Sequence, residues 1–266
     1  MISIKTPEEI KIMAEGGKIL AKIMKKLEKK VKPGITTKEL DRFVESLISC
    51  PPKFLLPTEA LAKVGAAEDK IKCSFKGYEN FPACLCTSIN EEIVHSTPSI
   101  RRLREGDIIS LDLGIFWKGF HTDMAITLPV GKIDPETQGL IQVTKKALKI
   151  GIKKVRPGNT LGDISNAIQE YVESQGFNVV RELCGHGIGR ELHEDPQILN
   201  YGRKGKGPEL REGMVLALEP MVTVGDWRIK KSVDGFGWET ADGSLSCHFE
   251  HTTAITKKGP KILTKI

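Results

Sequence analysis

Two aspartates stand on opposite strands of a predicted hairpin. Residues 107–116 and 122–128 are largely apolar runs separated by a short turn, which is the pattern of a β-hairpin. In that register Asp123 faces Gly114, two residues along from Asp112, so both carboxylates share one face roughly 7 Å apart at the backbone. Carboxylates at this separation can share cations, although acids on the solvent face of a hairpin give the same pattern.

Three further residues have sequence contexts typical of metal ligands. Glu219 directly follows a continuous apolar run, and a carboxylate buried at the end of such a strand requires a compensating cation. His186 lies in the glycine-rich stretch 185–189, where the missing side chains allow a metal or substrate close to the backbone. An ordinary loop can also carry such a histidine. Glu250 lies in a later apolar run and completes the set.

Charge balance indicates how many cations these five residues could hold. Four carboxylates and one neutral imidazole carry a charge of −4, which two divalent cations neutralise and a single one does not. Mainly oxygen ligation with one nitrogen favours Mn²⁺, Fe²⁺, Co²⁺ or Zn²⁺ in a catalytic site rather than a structural zinc. With two cations roughly 3.5 to 4 Å apart, a bridging water loses a proton and attacks a carbonyl that the metals polarise. The pattern therefore predicts peptide hydrolysis at a centre formed by Asp112, Asp123, His186, Glu219 and Glu250.

The elements that must position these residues alternate between helical and extended patterns. Thr6 and Glu9 form a predicted capping box before an amphipathic helix, and Thr36 and Glu39 repeat the signal before the next. Helices are predicted near residues 7–30, 37–49, 135–153 and 161–175, and strands near 84–90, 107–116, 122–129, 178–184, 214–223 and 246–256. Together they indicate the α+β class. Residues 50–72 give no interpretable pattern.

An internal duplication relates the two parts of the chain. Residues 31–36 and 155–160 share a Pro-Gly step before a helix. A Leu-Arg-Glu-Gly motif occurs twice, each time before a predicted strand, and the two strands end on Asp112 and Glu219. The two carboxylates therefore occupy equivalent positions in the repeat.

Two histidines extend this repeat. His95 and His193 are each followed three residues later by proline. The chain is therefore predicted to be a single catalytic domain of two pseudo-symmetric helix-helix-strand halves, about 1–131 and 132–266, around a central antiparallel sheet. Such symmetry would place equivalent acids and histidines around a shared centre.

The composition fits a globular protein. With 266 residues, 39% of them hydrophobic and 28% charged, the chain can bury the core of one large domain. No apolar run has the length of a signal peptide or of the roughly 20 residues that span a bilayer, so a cytoplasmic protein is expected. The six cysteines show neither paired spacing nor the density of a disulfide scaffold, and we expect them to be reduced.

Net charge bears on the partners of the protein. A formal charge of +6 would suit a polyanionic partner such as the ribosome surface, because lysine and arginine release counterions when they bind phosphates. Much of the excess lies in the lysines of residues 22–32, and a lysine-rich helix is more often a solvated face. Charge alone therefore leaves both alternatives open.

Several motifs resemble those of the type I methionine aminopeptidases, members of the pita-bread superfamily that also includes aminopeptidase P, prolidase and creatinase. The resemblance covers essentially the whole chain and rests on residues 88–95, 112–114, 121–123, 185–189, 218–220 and 249–252. It implies a pita-bread fold and removal of the initiator methionine from nascent polypeptides with a small second residue. The short spacing between His193 and Glu219 lacks the large insertion of the type II enzymes.

The resemblance also implies how the metals are shared among the five ligands. Asp112 would chelate one cation. His186 and Glu219 would hold the other. Asp123 and Glu250 would bridge both. This division accounts for all four carboxylates and the imidazole without further ligands.

Two histidines and a group of aromatic residues would surround the metals in the resembling enzymes. One of His95 and His193 would assist proton transfer at the scissile amide, and the other would contact the substrate carbonyl. The methionine side chain would enter a pocket that includes His95 and the aromatic residues Phe75, Tyr78, Phe81, and Phe236 or Trp238. A thioether against ring edges is a favourable contact. The family's loop for a monovalent cation, Na⁺ or K⁺, would map to Asn90, Glu92 and Ser246.

Two other functions use the same fold. Hydrolases of X-Pro peptides resemble this chain in their ligands but usually carry a separate N-terminal domain, for which the chain has no room. A catalytically inactive pita-bread module that binds protein or nucleic acid would be expected to lose metal ligands, whereas all five are present.

The segment 51–72 is longer than the resemblance leads us to expect, and it would form the outer rim of the pocket. A monomer is expected.

Overall fold

The described part of the chain has the predicted α+β character. A computed structural model describes residues 1–52, 55 and 70–266, so most of the segment 51–72 lies outside the described residues. The helices are α1 (Pro7–Glu28), α2 (Thr37–Ser49), α3 (Pro135–Lys154) and α4 (Leu161–Ser174). They confirm the four predicted helices, and both predicted capping boxes are formed. None of these helices is long and apolar enough to cross a membrane.

The strands of the described residues pair in antiparallel fashion, and most of them are short apart from Ile108–Trp117 and Phe120–Pro129. They are β1 (Lys72–Cys73), β2 (Leu85–Ile89), β3 (Glu92–Val94), β4 (Ile108–Trp117), β5 (Phe120–Pro129), β6 (Asn178–Val179), β7 (Cys184–Gly187), β8 (Glu194–Leu199), β9 (Val215–Leu218), β10 (Met221–Thr223), β11 (Ile229–Lys231), β12 (Trp238–Thr240), β13 (Ser246–His248), β14 (His251–Thr256) and β15 (Gly259–Ile262). One sheet contains β1, β2, β4 and β5, and a larger one has the order β15-β14-β9-β7-β8. Two smaller sheets have the orders β13-β10-β6 and β11-β12-β3.

The predicted hairpin is formed by β4 and β5. Gly114 pairs with Asp123 and Asp112 pairs with Ala125, which confirms the predicted register. Gly119 in the turn has a φ of 86°, the left-handed conformation that a tight hairpin turn requires. Both aspartates therefore project from one face of the ladder.

Two strands predicted as continuous are interrupted at site residues. The stretch 214–223 divides into β9 and β10 at Glu219 and Pro220, because proline has no N–H to donate to a ladder. The stretch 246–256 divides into β13 and β14 around Glu250. Each interruption places a carboxylate where regular pairing stops, so continuous strands were the wrong expectation here.

A third predicted strand is also wrong in its limits. Instead of one strand over 178–184, the chain forms β6 and then begins β7 at Cys184. The short strands β1, β3, β8, β11, β12 and β15 were not among the predicted elements. Their apolar and polar residues do not alternate over a long enough run, and they are defined by their partners in the sheets.

The two larger sheets meet where β14 lies against β5. Thr252 Oγ1 accepts a hydrogen bond from Asp123 N at 2.9 Å and donates one to Asp123 O at 2.8 Å. Glu250 N donates to Ala125 O at 2.9 Å. These contacts join residues more than a hundred positions apart, and they bring Asp123 and Glu250 together.

The duplicated motifs make matching contacts. Gly34 N donates to Leu103 O, and Gly158 N donates to Leu210 O. Two large buried clusters support the sheets. One joins α1 and α2 to β2 and β4, and the other joins α3 and α4 to β9 and β10. The two sheets that carry the candidate ligands are therefore each supported by a helix pair.

One pair of cysteines corrects the expectation that all six are reduced. Cys73 on β1 and Cys84 just before β2 form a disulfide, with Cα atoms 5.2 Å apart. Both β1 and β2 pair with the same edge of β4, end to end, which brings these cysteines together. Their spacing in the sequence carries no such signal, because the sheet decides which side chains meet. The other four cysteines are free.

Candidate metal centre and substrate cavity

One cavity of about 450 Å³ contains all five predicted metal ligands in its lining. Asp112 and Asp123 come from β4 and β5, and His186 comes from β7. Glu219 follows β9, and Glu250 precedes β14. Five separate segments of the chain therefore converge on this cavity.

Glycines on both sides of His186 allow its strand to pack closely. A Cβ on Gly185 would lie 2.4 Å from Ala217 O, and a Cβ on Gly187 would lie 2.1 Å from Asp195 O. Both contacts are with backbone atoms, which cannot turn aside as a flexible side chain can. The glycine-rich pattern around His186 is therefore a packing requirement that seats the imidazole in the cavity.

The acidic residues fit a divalent-cation centre. Asp112, Asp123 and Glu250 are 7%, 3% and 2% exposed. Oδ1 of each aspartate and Oε1 of Glu250 find no hydrogen-bond donor among the described residues. Ligand atoms of Asp123, His186 and Glu250 lie within 4.8 Å of one another. Because buried carboxylate oxygens without donors are unfavourable, a cation is the group that these residues suit.

Burial also changes the protonation of the ligands. It raises the pKa of Glu219 to about 8. It raises the pKa of Asp112 and of Glu250 well above the usual range, and neighbouring carboxylates add to both shifts. Burial lowers the pKa of His186 to about 3, so the imidazole is neutral and has a lone pair for a metal. A cation would reverse the carboxyl shifts by stabilising the ionised forms.

The thermal stability of metal-free protein is expected to fall as the pH rises from 5 to 8. The pKa of Glu219 is about 8 in the folded protein and about 4.5 in the unfolded chain. The protonated carboxyl therefore contributes its full stabilisation of the folded state below pH 4.5, and this stabilisation is lost as the pH rises to about 8. A melting-temperature decrease of about 5 °C is expected, and saturating Mn²⁺ should abolish or reverse it. Calorimetry of Glu219→Gln is the control, because this variant should show a shallower slope. An equal slope in both proteins would contradict the prediction.

His95 and His193 also line the cavity. His193 Nδ1 lies 2.9 Å from Tyr78 Oη, and its ring centroid is 4.5 Å from that of His186. Burial lowers the pKa of His95 to about 4. Burial likewise lowers the pKa of His193, although the carboxylate of Glu79 opposes that shift. Both imidazoles are therefore neutral near pH 7 and can accept a proton.

The predicted aromatic residues are brought to the same cavity. Phe75, Tyr78, Phe81, Phe236 and Trp238 all belong to its lining. Phe75 and Phe81 are each 8% exposed, and the Phe81 ring meets the Phe236 ring edge to face at 5.6 Å between centroids. Ring edges and faces of this kind suit an unbranched thioether side chain.

The three residues predicted for a monovalent-cation loop are also neighbours. Ser246 Oγ donates to Asn90 O at 3.1 Å and to Glu92 O at 2.9 Å. Ser246 N donates to Asn90 O as well. Backbone carbonyl oxygens therefore converge at this point, and such oxygens are suitable ligands for Na⁺ or K⁺.

His248 lies next to Glu219 without lining the cavity, and no motif singled it out. Its Nε2 lies 3.5 Å from Glu219 Oε2. It stands two residues before Glu250, but the strand ends at His248, so the regular alternation of a strand does not relate the two side chains. Glu79 and Lys231 are further charged residues of the cavity lining that the sequence analysis did not identify.

A fold of antiparallel sheets and helix pairs that gathers four carboxylates and a neutral imidazole in one cavity defines a class of metal-dependent hydrolases. The family model of Metallopeptidase family M24 matches residues 11–257. The chain belongs to this family. Members of this family use divalent metal ions, which agrees with the metal-dependent class that the site geometry indicates.

Full-length relatives and solved structures confirm the resemblance to methionine aminopeptidases and the pita-bread fold. The chain is 48% identical to the methionine aminopeptidase of Clostridium perfringens and 47% identical to methionine aminopeptidase 1 of Bacillus subtilis, each over 100% of both chains. The crystal structure of methionine aminopeptidase from Thermotoga maritima is 44% identical over 100% of both chains, with a TM-score of 0.90. The prolidase from Pyrococcus horikoshii is 24% identical with a TM-score of 0.71, and the match covers 98% of this chain and 63% of that one. The prolidase thus shares the fold alone.

Proposed function

We propose that this protein removes the N-terminal methionine from new polypeptides whose second residue is small. The observation that carries the proposal is the single cavity that combines the five candidate ligands, two neutral histidines and an aromatic lining. Full-length relatives at 47–49% identity that are named methionine aminopeptidases support it. Hydrolysis of X-Pro peptides is less well supported, because the likeness to prolidases is one of fold. An inactive binding module is disfavoured by the convergence of all five ligands.

The five ligands would hold two divalent cations, Co²⁺, Mn²⁺, Fe²⁺ or Zn²⁺, with Asp123 and Glu250 between the two. Bound cations would supply an activated water and polarise the scissile carbonyl. Thr252 holds the backbone of Asp123 by two hydrogen bonds, which orients this carboxylate before any cation arrives. A Na⁺ or K⁺ ion at Asn90, Glu92 and Ser246 would stabilise the join between β3 and β13.

His95 and His193 would serve the peptide rather than the cations. His193 uses Nδ1 in its contact with Tyr78 Oη, which leaves Nε2 for the substrate. One imidazole would accept the proton lost by the attacking water and pass it to the leaving amine nitrogen, and the N–H of the other would donate to the substrate carbonyl oxygen. The aromatic lining would enclose the methionine side chain and exclude water from the reacting bond.

Peptides with a small second residue are expected to be cleaved far faster than those with a branched one. Met-Ala-Ser and Met-Gly-Ser should exceed Met-Ile-Ser in kcat/KM by roughly 100-fold, because a branched side chain would crowd the cavity next to the scissile bond. Initial rates of methionine release measured by chromatography test this. Equal rates for the alanine and isoleucine peptides would contradict it. Faster cleavage of Ala-Pro-Ser than of Met-Ala-Ser would favour the X-Pro alternative.

The decisive experiment for the function is metal add-back. Protein stripped with a chelator should release no methionine from Met-Ala-Ser, and at least one of Co²⁺, Mn²⁺, Fe²⁺ and Zn²⁺ should restore turnover. Full turnover by metal-free protein would overturn the proposal.

The natural partners would be nascent polypeptide N-termini in the cytoplasm. The ribosome surface would be a contact, and the enzyme would act as a monomer.

A further inference from the structure

His248 is a buried side chain with an unassigned role. It closes β13 and is 1% exposed. Neither ring nitrogen has a hydrogen-bond partner in the described part of the chain. Its Nε2 lies 3.5 Å from Glu219 Oε2, at the limit of a hydrogen bond. A small rotation of either side chain would therefore satisfy an otherwise unpaired buried donor.

The backbone holds the imidazole beside Glu219. His248 N donates to Thr127 Oγ1 at 2.9 Å, and Thr127 Oγ1 donates to His248 O at 2.8 Å. His248 also pairs across the ladder with Met221, which follows Glu219 after a single intervening residue. The position of the imidazole is thus set by strand pairing, and its proximity to Glu219 is built into the fold.

Glu219 lies between two imidazoles. Its Oε1 is 3.7 Å from His186 Nε2, and its Oε2 is 3.5 Å from His248 Nε2. Each carboxylate oxygen therefore faces a different histidine. Asn200 Nδ2 donates to the backbone oxygen of Glu219 at 2.9 Å. Within the described residues, His186 and His248 are the side chains that face its carboxylate with a nitrogen.

We infer that His248 is a positioning residue for Glu219. It donates Nε2–H to Oε2 and leaves Oε1, on the side of His186, for the cation. The inference rests on the proposed metal centre and adds to it a residue outside the five ligands. A donor on the outer oxygen of a ligating carboxylate fixes its rotamer, and removing such a partner typically weakens metal binding 10–100-fold.

Two substitutions separate this role from direct metal ligation. His248→Gln keeps an N–H donor at similar reach but replaces the imidazole, whereas His248→Leu fills the space without any donor. His251→Gln is the matched control, because His251 Nδ1 already bonds Thr264 Oγ1 at 3.0 Å and the residue does not line the cavity. Co²⁺ dissociation constants of the stripped full-length proteins would be measured by titration calorimetry, together with thermal unfolding of the metal-free proteins.

The expected result is a Co²⁺ dissociation constant about 10–100-fold higher for His248→Leu, with His248→Gln and His251→Gln within about threefold of the parent. Metal-free His248→Leu should unfold at a temperature close to that of the parent, because leucine fills the same space and leaves one polar side chain fewer to bury. Loss of a merely structural histidine would instead lower the unfolding temperature of the metal-free protein along with its Co²⁺ affinity. Parent-like Co²⁺ affinity in His248→Leu would overturn the inference. Equal losses of Co²⁺ affinity in the leucine and glutamine variants would also overturn it, because they would make His248 a ligand. A parent protein that binds no Co²⁺ would overturn the metal centre itself.

Discussion

Glu250→Ala is expected to lose at least one bound cation and to turn over Met-Ala-Ser at least about a thousandfold more slowly than the parent. Glu250 is 2% exposed, and its ligand atom lies within 4.8 Å of those of Asp123 and His186. Without it, three carboxylates would face the two mutually repelling dications of the proposed centre, and neither the charge balance nor the proposed bridging would survive. Metal analysis per protein molecule, measured beside peptide turnover, tests the expectation.

The Glu250→Ala protein should still fold. Burial raises the pKa of this carboxyl well above its usual range, so its ionised form is unfavourable in the metal-free protein. Circular dichroism checks this point. Cys247→Ala, three residues away in the second buried core, is the control and should retain two cations and most of the activity. A Glu250→Ala enzyme with two cations and a near-parental rate would refute a bridging role.

His193→Ala is expected to lower kcat by about 10²–10⁴ while the metal content stays near two. The imidazole is neutral at working pH, contacts Tyr78 Oη at 2.9 Å and lines the cavity, but it is not one of the five proposed ligands. Tyr78→Phe should have a smaller effect, about tenfold in kcat, because it removes only the hydroxyl that orients the ring. Steady-state kinetics and metal analysis of both variants test the assignment.

His251→Ala is the matched control for the His193 experiment. Its ring bonds Thr264 Oγ1 outside the cavity lining, so its kcat should remain close to that of the parent. His95→Ala should resemble His193→Ala, with the larger effect in whichever variant loses the proton donor. Loss of bound cations from His193→Ala would make that histidine a ligand and would change its assigned role.

Local features of the fold could be predicted because neighbouring residues decide them. Thr6 and Glu9 satisfy each other's backbone N–H groups within four residues, so a capping box is legible before any tertiary contact exists. The β4–β5 hairpin is a similar case. A short turn fixes which residues pair, and Asp123 lies opposite Gly114 for that reason.

The candidate ligands could be proposed from conflicts between residue type and context. Glu219 at the end of an apolar run is costly unless a group outside the chain compensates its burial, and His186 stands out as a metal-binding residue type in an unusual glycine-rich context. The structure brings both to one cavity with Asp112 and Asp123. Sequence context thus predicted these residues as ligands, and chemistry suggested a cation as their shared partner.

Contacts between distant segments decided everything else. The break at Glu250, the Cys73–Cys84 disulfide and the place of His248 beside Glu219 depend on which strands lie next to one another. The sequence by itself determined the helices, the hairpin register and the types of residue that need a cation, because these follow from local hydrogen bonding and solvation. Only the tertiary structure decided which side chains share the cavity, since pairing over more than a hundred residues is set by the packing of the whole sheet.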